Sequence, residues 1–449
     1  MDFQKMKTAL VAAAERAGLT EYEIYGESES SVSVDILKDE VSSFSSGTRG
    51  GINFRCIVNG RLGSASGELM TEEAMEELVA RAVSNAAVID SEDIPEIFAG
   101  SGSYATVTAP EPVPADPSAL KKLALDLQAE LYRQSDKVGD GTETYAVSET
   151  RDILLVNSKG LSLSNRVGVT GAYVEPVVRE GEEAQNVFRV REGSTMEQLA
   201  GLPAEAVSCA LSRLGAGTIP SGKYNIVFSG EQLRQFLATF APVFSAEQAQ
   251  KGLSLLAGKE GQTVAAECVT LTDDPMREGA SMQTAFDGEG VATCRKQVIE
   301  KGVLKTLLYD LTSAKKAGIS STGNGQRRGY ASAVSIAPYH FSLEAGNATQ
   351  EELFSAAGDG IYITTCKGFH AGANSVTGDF SIESEGFRIR DGKQAEPIRS
   401  FTVAGNFFDL LREIACVGDT VLWGFSGGFT VYGAPDVLVR GMSVAGKDA

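Results

Sequence analysis

The residues of this chain best equipped for chemistry gather between Gly368 and Gly392, in GFHAGANSVTGDFSIESEGFRIRDG. Five glycines there surround His370, Asn374, Thr377 and Asp379 and a run of small hydroxyls. Glycines clear space round a side chain and let another backbone come close. His370 is one of two histidines in the chain, and imidazole is the usual acid–base group near neutral pH. Ser375 and Ser381 stand close to it in sequence, but no nucleophile-elbow motif surrounds either serine. The flanking segments 360–366 and 386–390 alternate apolar and polar residues, the pattern of half-buried strands. On residues alone, the stretch reads first as tight turns in a hairpin-rich sheet.

Other chemistry-bearing patterns read as turns or loops. Gly217 to Tyr224 nearly matches a phosphate-binding loop, yet a tyrosine stands where magnesium wants a hydroxyl. It also leads into a strand, so no helix N-terminus faces a phosphate; it reads as a domain-joining turn. Gly323-Asn-Gly-Gln-Arg-Arg-Gly329 lacks the strand-to-helix setting of a dinucleotide loop and reads as a flexible basic loop. Asp273, Asp274, Asp287 and Glu289 are of the type that holds hard cations, but beside Pro and Gly they read as turn residues. A catalytic zinc needs about three His, Cys or carboxylate ligands, and His340 and His370 belong to no helical His pair. Of the two, His370, set among glycines, is the better functional candidate.

These residues must be positioned by a large soluble framework. With 449 residues, the length prior is roughly three domains. Lys and Arg number 40 against 59 Asp and Glu, a net charge of -19, which repels phosphate backbones and anionic membranes. Nucleic-acid and membrane-surface binding are excluded as main functions. Six scattered cysteines without a CxxC pair suit a reducing compartment, and no leader or membrane-spanning run of about 18 apolar residues is expected. A cytoplasmic protein follows as the expectation.

In order, residues 2–17 predict an amphipathic helix and 22–67 a set of strands. A second helix follows, capped by Thr71. Four prolines in residues 109–117 make a stiff spacer, after which Asp116 and Pro117 start a helix with Leu120, Leu123, Leu127 and Leu131 on one face. Strands from 143 to 178 and a helical patch before Gly215 close this unit. A strand at 223–228 and a helix at 232–240 open the last part, which then runs mostly in short strands and glycine turns. The expected class is α+β: mixed sheet-and-helix units at 1–108 and 118–215, then a mainly β domain at 222–449.

Several strings in the last part carry a family resemblance. They are Lys251-Gly-Leu-Ser-Leu-Leu-Ala-Gly-Lys259, Val269 to Pro275, Phe286-Asp-Gly-Glu-Gly-Val-Ala-Thr293 and Leu304 to Asp310. With the segment from Gly50 to Gly63 and the Ser221-Gly-Lys-Tyr224 entry, they resemble the TldD/PmbA family. Ala373 to Ser381, Gly386-Phe387, Gly392-Lys393 and Phe401 to Asn406 resemble its PmbA (TldE) branch. The resemblance implies a cytoplasmic metallopeptidase system that processes or degrades peptides. One branch carries zinc on an HExxxH helix with a later cysteine, and the other pairs with it around a cavity. The metal helix aligns with Leu237 to Pro242 and the late cysteine with Trp423 to Gly428, and this chain has no such ligands there. The resemblance therefore implies a non-catalytic partner subunit with no cofactor of its own, zinc belonging to a TldD-like partner. His370, Asn374, Thr377 and Asp379 become candidate contacts to peptide or partner. The alternatives are a stand-alone or homodimeric peptidase with an atypical site, and a peptide-binding regulatory protein without a proteolytic partner.

Overall fold

The structure is a computed structural model that describes residues 3–89 and 93–447. α1 (Phe3–Arg16) opens the chain; residue 2, where the expected helix begins, lies outside the described residues. β1 (Tyr22–Leu37), β2 (Glu40–Val58) and β3 (Arg61–Gly67) form two hairpins, and α2 (Glu72–Val88) follows. Thr71 caps α2 by accepting from the Ala74 amide, as its position before two glutamates predicts. α3 (Pro117–Gln134) starts on an Asp116 cap with proline in its first turn, and its four stripe leucines are buried. β4 (Glu143–Asn157) and β5 (Ser162–Glu175) come next, then α4 (Leu202–Leu211).

These strands form one sheet in the order β3-β2-β1-β4-β5, ending on the strand Arg189–Glu192. β1 pairs with β4 from Glu23 opposite Asn157 to Leu37 opposite Glu143, so the sheet runs straight across the proline-rich segment. Successive strand residues point to opposite faces. Ile24, Val34 and Ile36 of β1 turn to the face that α1, α2 and α3 cover, and all three are fully buried. Glu23, Tyr25, Glu27 and Glu29 turn to the other face, which the C-terminal part covers.

The C-terminal part holds two larger sheets. In one, the strands Lys393–Asn406, Asp379–Arg390, Gly360–Lys367, Gly222–Phe228, Val437–Ala445 and Ile414–Val417 lie side by side, and the first also pairs with the fifth, closing a ring. The other includes Leu271–Asp273, His340–Leu343 and Val431–Ala434. Between them lies α5 (Gly230–Phe240). Phe228, Phe236, Phe240, Phe244, Phe341, Phe401 and Phe407 form the aromatic centre, all fully buried, and Phe240 stacks on Phe407 with ring centroids 4.5 Å apart. The α+β class with a mainly β last part is what the alternation and turn residues predicted.

Two local readings need correction. The segment 323–329 is no flexible loop: Gly325–Arg327 is a strand paired with Val334–Ile336, and Asn324, Gln326 and Arg327 are buried. A basic side chain reads as solvated until its acid partner is known, and here the partner lies some 300 residues away, at Glu23. The glycine-rich stretch also turns over a shorter length than expected, since the strand after it reaches back to Asp379.

α5 docks through its first residue. A Cβ built on Gly230 would lie 2.2 Å from the Ala434 carbonyl oxygen, a backbone atom that cannot swing aside. The Gly230 amide also donates to Asp436 Oδ1 at 2.8 Å. Gly230→Ala is expected to destabilise the chain by about 1–3 kcal/mol through overpacking, read as a lowered midpoint in urea denaturation. A wild-type midpoint would show that the helix has room to shift.

Candidate functional site

The charged face of the first sheet meets the C-terminal part in a buried ionic cluster. Register sets it out: Glu23 stands opposite Arg55, Tyr25 opposite Asn53, and Glu29 between Arg49 and Arg151. Arg55 Nη2 lies 2.7 Å from Glu23. From the other side Arg327 brings its Nη2 onto the same Glu23 oxygen, Oε1. Arg327 also donates from Nε to the Gly288 carbonyl at 2.8 Å, and its guanidinium lies 4.7 Å from the centre of the Tyr25 ring. Burial pushes Arg327 down to about 10, so even a guanidinium is held here at a cost that Glu23 offsets. Tyr330 leans over Gly51, where a Cβ would fall 2.4 Å from the ring, and reaches Glu68 with its hydroxyl.

Beside this cluster lies a cavity of about 50 Å³, lined among others by Tyr25, Asp287, Arg327, Tyr339, His340 and Phe429. It has room for a few waters. Three acidic residues read as turn formers lie at or next to it, buried. Asp287 does close a turn, accepting from the amides of Glu289 and Val291, and it also takes the Gly325 amide at 2.9 Å. Asp273 accepts from the Tyr339 amide and from Asn324, and pairs with Lys296 at 3.1 Å. Glu289 accepts from the Leu311 amide at 2.9 Å. Burial raises the carboxyls of Asp287 and Glu289 well above the ordinary carboxylate range, and each is further raised by a neighbouring carboxylate. His340 is the buried histidine. Its Nδ1 sits 3.0 Å from the Asp274 carbonyl oxygen, and its Nε2 has no hydrogen-bond partner. Burial, then Arg277, lower its pKa, disfavouring the charged imidazolium.

The four candidates of the glycine-rich stretch lie elsewhere, in an exposed turn. Asn374 Oδ1 accepts the amides of Val376 and Thr377, and Thr377 Oγ1 accepts the Asp379 amide. Asn406 donates to Asp379 Oδ1 and to the Thr377 carbonyl, each at 2.9 Å. Three of the four thus spend oxygens on the turn. His370, on the short helix Phe369–Gly372, is exposed and makes no hydrogen bond among the described residues. The structure brings Asn374, Thr377 and Asp379 together and leaves His370 beside them. It puts His340, not His370, at the buried cavity. Pro338 and Tyr339 before His340 were the only local sign of this.

The residues that the resemblance aligns with a zinc helix occupy the end of α5 and the turn after it. Leu237 and Phe240 are buried in the aromatic core, and none of Leu237, Ala238, Thr239, Phe240, Ala241 or Pro242 is a usual zinc ligand. The segment aligned with the late cysteine packs nearby, Arg234 Nη1 donating to the Trp423 carbonyl at 2.6 Å, and it too lacks a ligand. Side chains at these positions do not fit a zinc ion.

A helix-backed sheet clamped by buried ions onto a mainly β domain defines a modular α+β protein, and comparison with known proteins says which. Residues 221–446 match the PmbA/TldA metallopeptidase C-terminal domain, 22–86 its domain 1 and 112–214 its central domain. The chain belongs to the TldD/PmbA family. It is 28% identical to an uncharacterized protein of Methanocaldococcus jannaschii over 93% of this chain and 95% of that one. It is 27% identical to a protein named metalloprotease from Methanothermobacter thermautotrophicus, over 92% of each. The solved structure of TldE from Thermococcus kodakarensis shares the fold, with a TM-score of 0.88 at 22% identity over 98% of this chain and 100% of that one. A Thermotoga maritima structure, provisionally described as a modulator of DNA gyrase, gives a TM-score of 0.88 at 28% identity over 99% and 100%. Among the described residues no helix is long and apolar enough to cross a membrane.

Two outcomes follow from the cluster. Arg327→Ala breaks a buried pair and is expected to cost about 3–5 kcal/mol, with Arg327→Lys intermediate because the charge stays and the fork is lost. Urea denaturation reads both, and a loss within the range of a surface substitution would show that water takes over the role. Glu289 holds its proton more tightly folded than unfolded. Its contribution is therefore complete below the unfolded value of 4.5 and is lost as pH rises through the raised folded value. Stability measured between about pH 5 and pH 8 should fall in the wild type and fall less in Glu289→Gln. Parallel curves would show that other groups carry the slope.

Proposed function

We propose that this chain is a PmbA/TldE-like subunit of a cytoplasmic metallopeptidase system that processes or degrades peptides. It shapes the site and holds peptide, while a TldD-like partner supplies zinc and the cleavage step. One observation carries the reading: where the family's metal helix aligns, Leu237 and Phe240 are packed into an aromatic core without a ligating atom. Six free cysteines and a surface of net charge -19 accord with a cytoplasmic protein that handles peptides rather than nucleic acid. The exposed His370 is the member of the glycine-rich stretch left available for contact with partner or peptide.

A second reading, a stand-alone peptidase with an atypical site, is favoured by the buried His340, whose Nε2 is unpartnered beside the cavity that Asp287 also lines. It has one imidazole in that wall and neither cysteine nor serine, and the Thr284 hydroxyl there is spent on the Phe286 carbonyl, so it is the weaker of the two.

The test is a reconstitution. The purified chain, after extensive dialysis, is expected to hold well under one zinc per chain and to leave peptides intact. Mixed with an HExxxH-bearing family member, it should form a complex and raise peptide cleavage above that member alone. One tightly held zinc per chain, or cleavage by this chain alone, would overturn the reading.

A further inference from the structure

A second cavity, of about 240 Å³, opens where the central unit meets the C-terminal part, and its walls are unlike the first. The central unit contributes the segment 185–190 and Arg213; the C-terminal part contributes the first turns of α5 and the end of the strand Gly360–Lys367. Arg213 is 7% exposed. Among the described residues it pairs with no carboxylate, its Nε has no partner, and its one side-chain hydrogen bond is a long one, Nη2 to Thr364 Oγ1 at 3.4 Å. A buried guanidinium normally has a carboxylate, a phosphate or several carbonyls around it. Arg234 lines the same cavity; among the described residues its side chain makes no direct ion pair and donates to the Trp423 carbonyl, while Glu231, the partner of Arg189, acts on it only from a distance.

The other charges in the wall are already matched. Arg189 sits 3.3 Å from Glu231, and Lys367 sits 2.7 Å from Glu385. Glu175 remains, held by the Asn186 amide. Two unmatched arginines against one glutamate leave room for a single negative charge, which suits a carboxylate better than a dianionic phosphate. The rest of the lining suits a peptide. Gln235 makes no hydrogen bond among the described residues, Gln185 spends only its amide nitrogen, on Glu183, and Phe188 offers a ring that is 51% exposed. Carboxamides match peptide N–H and C=O groups, and an exposed ring beside them takes an apolar side chain.

We propose that this cavity is a carboxylate-binding subsite in which Arg213 and Arg234 fork the carboxylate of a bound peptide, at its C-terminus or on an acidic side chain. The inference rests on the peptide-holding reading above and adds the end of the peptide that is gripped. Bulk electrostatics work against it, since a chain of net charge -19 repels an acidic ligand at long range. A preference for the charged ligand must then come from local pairing.

The experiment measures anisotropy of three N-terminally fluorescein-labelled peptides on the full chain: hexaalanine with a free C-terminus, its C-terminal amide, and an amide ending in glutamate. The free acid should bind about tenfold or more tighter than the alanine amide, as loss of a charge-assisted fork implies. Arg213→Gln should erase that gap without lowering the melting temperature; where it fails to fold, Arg234→Gln is read the same way. Glutamate amide binding as tightly as the free acid assigns the subsite to acidic side chains as well, and weak binding assigns it to the terminus. Equal binding of acid and alanine amide would overturn the subsite and leave the peptide-holding reading standing. Absence of saturable binding by all three peptides would overturn both.

Discussion

The contact on which the arrangement of this molecule depends is the fork of Arg327 and Arg55 on one oxygen of Glu23. All three side chains are almost wholly removed from water. Isolated, any of them would be costly to bury, and breaking one arm leaves charge in a poorly polarisable setting. The triad therefore makes the two halves of the chain interdependent. The sheet face cannot be exposed without hydrating three ions together, and it cannot be covered by another surface without leaving them unmatched. Hydrophobic contact sets how strongly the halves adhere; the ions set which face meets which, and in what register.

Close backbone approach does the remaining work of alignment. Gly51 lets the Tyr330 ring lie against the sheet, and Gly230 lets the start of α5 rest on a carbonyl of the strand Val431–Ala434. Between such fixed points the two interfaces leave space of different character. The cavity near Tyr25 is small and walled largely by groups that have found partners, while the buried His340 Nε2 has none among the described residues. The cavity near Arg213 is larger and, among the described residues, retains guanidinium groups with no direct carboxylate partner. Burial has the same physical effect in both, raising the free energy of an unmatched charge. In the first the protein meets that demand internally. In the second it is left open to an outside ligand.

The apolar packing at the end of α5 also has a thermodynamic side. Leu237 and Phe240 contribute burial where ligands would impose exposed or strained polar groups. Family likeness thus places the fold within reach, while the side chains of the chain itself decide what chemistry it can supply.

Much of this was legible in residue order. Period-two alternation marked β1, β4 and the strands around the glycine-rich stretch. Thr71 and Asp116 marked where helices start, because an N-cap is a local bond between neighbours. That Leu237 to Pro242 hold none of the usual zinc-ligand types is likewise a matter of residue type alone. What tertiary structure decided was everything that depends on partners far apart in the chain. Arg327 looks like one more basic residue in a glycine loop until Glu23 is placed against it. Asp287 and Glu289 look like turn formers, and Asp287 is one, but only packing shows that both carboxyls are buried. His370 seemed the histidine to follow, and His340 proved to be the buried one. Nothing in the sequence marks Arg213, and only the fold shows it buried with no carboxylate paired to it among the described residues. Local bonds are written in spacing, whereas burial and charge pairing are sums over the whole surroundings of a side chain, which residue order does not contain.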